Sequence, residues 1–111
     1  MNSEAGSVSI DGVLRALADP TRRQLYERLV RSEASIARLT EQVPISQPAV
    51  SQHIAALRAA GLLRERRQGR STFYRADPKD LSPLIDWIAR QDAFWRDALV
   101  RLDTLLSEED Q

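Results

Sequence analysis

The sequence predicts a mainly α-helical domain carrying one small β-hairpin, and three observations predict it. Apolar residues recur at helical spacing through most of the chain, a serine or aspartate stands before each of the first four periodic runs, and after Gly61 the period changes from helical to extended. At 111 residues the chain suits a single domain with a single core.

Ser7 and Ser9 both suit the N-cap of a first short helix ending near Ala18, in which Ile10, Val13, Leu14 and Leu17 follow the i, i+3, i+4, i+7 spacing. Residues 1–9 are expected to be a flexible lead-in. Asp19-Pro20 restarts the chain: the acid caps, and proline at the first helical position loses nothing, because its missing N–H would be unpaired there. The second helix then runs from Pro20 to about Arg31 and buries Leu25 and Leu29, with Tyr26 and Val30 beside them. Ser35 caps a short third helix that turns Ile36, Leu39 and Val43 inward, and Pro44 stops it. Ser46 caps a fourth helix, Gln47 to Ala60, with Pro48 tolerated in its first turn and Gly61 as the stop residue. Two short helices joined by so tight a turn form a helix-turn-helix.

Beyond Gly61, residues 62–67 and 71–75 read as two strands around Gln68-Gly69-Arg70, with the glycine in the turn where positive φ is expected. A basic hairpin following the fourth helix is a wing, so the fold class is a winged helix-turn-helix. Of Phe73 and Tyr74, which alternate along one strand, one should pack on the core. From about Asp80 to Leu106 a last helix reaches roughly 40 Å if continuous; a break near Gln91 is the alternative. Around Ile88, the side chains of Leu81, Leu84, Trp95, Leu99, Leu102 and Leu106 fall within about 40° on a helical wheel. Trp87, Phe94, Ala98 and Leu105 form a second stripe, while Asp86, Arg90, Asp97 and Arg101 lie opposite, each acid four residues ahead of a base. So broad an apolar face implies a partner helix from another copy of the chain. Residues 107–111 are expected to be a frayed acidic tail.

Formal charge sums to zero, but it is unevenly placed. Residues 1–45 balance, residues 46–75 carry six arginines (Arg58, Arg64, Arg66, Arg67, Arg70, Arg75) against Glu65 alone, and residues 76–111 carry four bases against nine acids. A basic block beside an acidic one fits one face on a polyanion. The absence of cysteine excludes disulfides, thiolate metal sites and cysteine nucleophiles, and the single histidine, His53, leaves acid/base and metal chemistry poorly supplied. No nucleophile and base are credibly spaced, and no glycine-rich phosphate loop is present, so an enzyme is not expected. With no secretory leader pattern and no apolar run of membrane-spanning length, a cytoplasmic protein without membrane association is expected.

If Val50, Ile54 and Leu57 form the buried edge of the fourth helix, its opposite side holds Pro48, Ser51, Gln52, Ala55 and Ala59, with Gln47 in the first turn. That composition suits a major-groove reader: amides for adenine, a hydroxyl for any base edge, and small alanines that permit close approach. His53 reads as a half-buried packing residue, Arg58 as a contact to a phosphate or a nearby acid, and Arg22 and Arg23 as solvent or salt-bridge groups. Arg66, Arg67, Gln68, Gly69 and Arg70 form the wing, able to lie on a phosphate backbone or enter a minor groove.

The segments ALADPTRRQLYERLV, VPISQPAVSQHIAALRAAGLLRERRQGRSTFYRA and DWIARQDAFWRDALVRLDTLL together resemble the ArsR/SmtB family of bacterial winged-helix repressors, over roughly residues 10–106. The resemblance implies a homodimer built on the first and last helices, here through Leu14, Leu17, Leu84, Ile88, Trp95, Leu99, Leu102 and Leu106. It also implies that double-stranded operator DNA is read by Ser46, Gln47, Pro48, Ser51 and Gln52, with the wing arginines on phosphate or minor groove. Metal-sensing relatives place cysteines on the third helix, or histidines and acids on the last. Here the third helix, SIARLTEQV, has no cysteine, and the last offers Asp86 and Asp92 without a histidine. No metal or other cofactor is therefore expected, and the chain resembles the branch that represses without an evident metal site. Two alternatives stay open at this point: a winged helix used for protein interaction through the acidic last helix, and a repressor relieved by a small organic effector beside Trp87, Phe94 and Trp95.

Overall fold

The computed structural model describes residues 8–109, so Ser7 and most of the expected flexible lead-in lie outside the described residues. In chain order the elements are α1 (Ile10–Leu17), α2 (Pro20–Arg31), α3 (Ile36–Gln42), α4 (Gln47–Ala59), β1 (Arg64–Gln68), β2 (Ser71–Arg75), a 3-10 turn (Pro78–Leu81) and α5 (Ser82–Glu109).

Each of the first four helices begins where a side-chain oxygen satisfies an otherwise orphaned N–H. Ser9 accepts from Gly12, Asp19 from Arg22, Ser35 from Arg38 and Ser46 from Ala49, at 2.9–3.3 Å. The Arg22 N–H, as the largest influence, holds the Asp19 carboxyl below its ordinary value. At the other end of α4, Gly61 adopts φ 78°. Its N–H donates to Arg58 O at 2.9 Å, and that of Leu62 to Leu57 O at 3.0 Å, which closes the helix with a left-handed residue that glycine adopts without strain.

The core is built from Val13 and Ala16 of α1, Leu25, Tyr26 and Leu29 of α2, Leu39 of α3, and Val50, Ile54 and Leu57 of α4, joined by Ala34, Leu62, Tyr74 and Ala76. On α1 the inward edge is Val13 and Ala16, and Leu14, expected at the dimer contact, is 51% exposed. One expectation is corrected. On α2, Val30 is exposed, since Leu25, Tyr26 and Leu29 already fill the contact with α4 and β2. Of the two strand aromatics, Tyr74 is buried and Phe73 is half-buried.

β1 and β2 pair antiparallel with Arg64 opposite Arg75, Arg66 opposite Phe73 and Gln68 opposite Ser71, leaving Gly69-Arg70 as a two-residue loop in which Gly69 takes φ 63°. The strand begins at Arg64 rather than Leu62, because Leu62 is drawn fully into the core. A bridge between Ala34 and Tyr74, with hydrogen bonds of 3.0 and 2.8 Å, fastens β2 to the α2–α3 connection, and Ala76 N–H donates to Leu29 O at 3.0 Å.

The last helix is unbroken at Gln91. It contains neither glycine nor interior proline, and ion pairs at Asp92–Arg96 and Asp97–Arg101 brace its polar side, whereas the anticipated Asp86–Arg90 pair is not formed. It continues to Glu109, so Ser107–Glu109, expected to fray, are helical. No stop residue follows Leu106. Only its start, at Leu84, packs on the core beside Leu81 of the 3-10 turn. The remainder projects, giving a radius of gyration of 19.9 Å, against about 13 Å for a compact chain of this length. Among the described residues no helix is long and apolar enough to cross a membrane.

Leu57 is fully buried where α4 leans on the core. Leu57→Ala is expected to lower unfolding free energy by about 2–5 kcal/mol, measured by urea denaturation followed by circular dichroism.

Candidate nucleic-acid interface

α3 and α4 meet across Val43-Pro44-Ile45, with Val43 and Ile45 half-buried beneath the turn. Arg28 of α2 reaches the C-terminus of α3 and donates to Gln42 O and Oε1, both at 3.3 Å, so the helix is capped by a cation at its negative end. α4 is thereby held on α2 and α3 with Val50, Ile54 and Leu57 at 0–1% exposure. The 3.6-residue period then leaves Gln47, Pro48, Ser51, Gln52, Ala55 and Ala59 exposed, the side expected from spacing. Among the described residues the side chains of Gln47, Ser51 and Gln52 make no hydrogen bond to the protein, which leaves their donors and acceptors available. Ser46 differs, because its hydroxyl is engaged as the α4 cap by Ala49 N–H at 3.3 Å. His53 is half-buried, as a packing residue would be.

The basic block is less free than its sequence suggests. Arg58 pairs with Glu65 at 3.1 Å, choosing the nearby acid. Arg64 binds Asp80 at 2.9 Å and approaches Asp77 at 3.9 Å, joining the base of the wing to the turn that starts α5. The Asp80 carboxylate, as the largest influence, raises the Arg64 pKa further. Arg66 spans β2 to bind Glu33, lies 4.9 Å over the Phe73 ring and donates to Gln68 Oε1 at 2.7 Å. The hairpin register thus carries Arg66 toward the α2–α3 connection, where its guanidinium is engaged within the chain. Arg67, Arg70 and Arg75 have no ion-pair partner among the described residues, and Arg67, Gln68, Gly69 and Arg70 are exposed at the wing end.

The sequence reading missed Glu33, Asp77 and Asp80, whose partners lie far along the chain. It also missed Arg23, which donates to Leu17 O at 2.7 Å and Ala18 O at 3.2 Å and so closes the C-terminus of α1. Only the last had a local signal, a base a few residues beyond a helix end.

Of the eight residues expected at a dimer contact, Leu17 and Leu84 are half-buried against the chain's own core. Leu14, Ile88, Trp95, Leu99, Leu102 and Leu106 are exposed, between 51% and 62%. Trp87 and Phe94 are exposed too, Phe94 edge-on to Trp95 with ring centroids 5.4 Å apart. Among the described residues no group of three or more His, Cys, Asp or Glu side chains is placed to hold a metal ion.

Comparison with known proteins bears on the same elements. A family model described as a helix-turn-helix domain matches residues 17–66, the span from the end of α1 into the wing. The chain is 38% identical over 101 residues to an HTH-type transcriptional regulator of Mycobacterium tuberculosis, covering 91% of this chain and 92% of that one. It is 33% identical to the biofilm growth-associated repressor of Xylella fastidiosa, covering 78% of this chain and 74% of the relative. The structure superposes on an ArsR-like transcriptional regulator from Rhodococcus with a TM-score of 0.77 at 30% identity, over 86% of this chain and 90% of that one. The chain belongs to the ArsR/SmtB family. As an ArsR/SmtB protein it is a DNA-binding transcriptional regulator with a winged helix-turn-helix fold, and not an enzyme.

Pairing divides the arginines by their expected effect on DNA. Arg67→Ala removes an unpaired charge and is expected to flatten the dependence of log affinity on log salt by about 0.9, equally for all sequences. Arg58→Ala removes a charge already matched by Glu65 and is expected to change that slope less. Anisotropy titrations across a salt series check both.

Proposed function

We propose that this protein is a homodimeric repressor that binds an inverted-repeat operator in duplex DNA by direct readout, in competition with polymerase, and that its control needs no metal ion. The observation that carries the reading is the outward edge of α4. Gln47, Ser51 and Gln52 stand exposed beside small Ala55 and Ala59, on a helix whose other side is fully buried. Such a helix enters a major groove without obstruction and offers amides that can pair with adenine N6 and N7. The exposed arginines at the wing end supply phosphate contacts that fix its register.

The dimer is supported by α5. A 28-residue helix that packs only by its start, with Ile88, Trp95, Leu99 and Leu102 more than half exposed, carries an apolar face larger than a solitary small protein ordinarily leaves in water. A second copy related by a two-fold axis covers it and presents two α4 helices to one side of a duplex. Repression is in keeping with the Xylella relative, which is named a repressor. Absence of cysteine supports control without thiolate metal ligands. The site of action is the cytoplasm, where the operator lies.

Footprinting on promoter DNA tests the reading. Protection is expected over a palindrome whose half-site centres lie about 10 base pairs, or a multiple, apart, and an unprotected promoter, the protein's own included, overturns it. Gln47→Ala is expected to cost about 1–3 kcal/mol at one base position and to relax specificity there. Leu99→Asp places a charge on the proposed contact face. Sedimentation is expected to show a monomer for this variant and a dimer for wild type, with operator affinity lost in parallel.

A further inference from the structure

Arg66 lies on the solvent face of a small three-segment sheet. The Ala34–Tyr74 bridge sets the residues around Ala34 alongside β2, whose other edge pairs with β1. Ala34 and Tyr74 are both buried, so their neighbours Glu33, Phe73 and Arg75 fall on the opposite, outer face, as alternation along a strand requires. Register brings Arg66 opposite Phe73, and the guanidinium crosses that ring to the Glu33 carboxylate. Nε meets Oε2 at 3.0 Å while Nη2 donates to Oε1, a two-pronged contact.

We propose that Glu33 is an internal substitute for a DNA phosphate, withholding the Arg66 guanidinium from a duplex that the wing meets, and so setting how tightly the protein grips DNA of arbitrary sequence. The inference rests on the DNA-binding reading above. A carboxylate and a phosphate offer the same pair of oxygens to the guanidinium fork, so one occupant excludes the other.

The pair is not needed to hold the wing. The two hydrogen bonds between Ala34 and Tyr74, the Ala76 to Leu29 hydrogen bond and burial of the Tyr74 ring already do so. The Arg66 side chain remains 50% exposed, where an ion pair adds little to stability. Its consequence is electrostatic: it removes from the wing a positive charge that an approaching polyanion would otherwise meet. The Arg66 hydrogen bond, and less strongly the charges of Arg66 and Arg75, favour the charged form of Glu33 and hold its carboxyl below the ordinary range.

The test uses the whole protein, a duplex of random sequence and fluorescence anisotropy between about 50 and 200 mM salt. Glu33→Gln is expected to bind more tightly than wild type with a salt slope steeper by about 0.9, so that its advantage shrinks roughly threefold across that range. In an Arg66→Gln background the same change is expected to leave the slope unaltered, with thermal melts of all variants matching. An unaltered slope in Glu33→Gln, an equal gain without Arg66, or weaker binding with a lowered melt overturns the proposal, the last by making Glu33 a support for the wing. Wild-type protein that shows no salt-dependent association removes the DNA-binding reading itself, whereas normal wild-type binding with an unchanged variant removes this inference alone.

Discussion

What α4 presents to its surroundings is set by where Val50, Ile54 and Leu57 are buried. These side chains sit at 0–1% exposure against α2 and α3, and a helix has no freedom to rotate once one edge is fixed in a close-packed interior. A turn of the helix by one residue, about 100°, would bring Gln47 and Ser51 toward the core and leave their polar groups unpaired, at a cost comparable to lost hydrogen bonds. Apolar packing thus aims the polar edge, and the caps at Ser46 and Gly61 fix where that edge begins and ends.

Charge follows a different logic. The apolar stripe that aims α4 recurs within a few residues, whereas Arg64 and Arg66 of the basic block meet acids from elsewhere in the chain: Glu33 before α3, and Asp77 and Asp80 before α5. A surplus of five positive charges counted along residues 46–75 therefore becomes, in space and among the described residues, three unpaired arginines and three matched ones. The unpaired Arg67 and Arg70 stand at the far end of the hairpin, so the positive field is concentrated there.

That contrast explains what could be read in advance. Helix starts were legible because Ser9, Asp19, Ser35 and Ser46 cap through contacts three residues away. The exposed polar edge of α4 was legible because it is the complement of an apolar stripe. The positive φ at Gly69 was legible because a tight turn favours glycine there, whereas the pairing of Gln68 with Ser71, which makes the loop two residues and not the three read from the sequence, was not. The roles of Glu33 and Arg66 were not, since they are 33 positions apart and meet only through the Ala34–Tyr74 bridge. Val30 went astray for a related reason: an apolar pattern marks a side of a helix, while the neighbours available decide how much of that side is covered.

α2 touches α4 through its inner side, and near its C-terminus the Leu29 carbonyl and the following Ala34 hold the strand that leads out of the hairpin. Both parts that face outward are therefore mounted on one rod of 12 residues, about 18 Å long. The distance between them is gauged by that rod and not by the loops that join them in sequence. Insertions in those loops leave the gauge intact, whereas a bend within α2 would change the spacing of every contact at once.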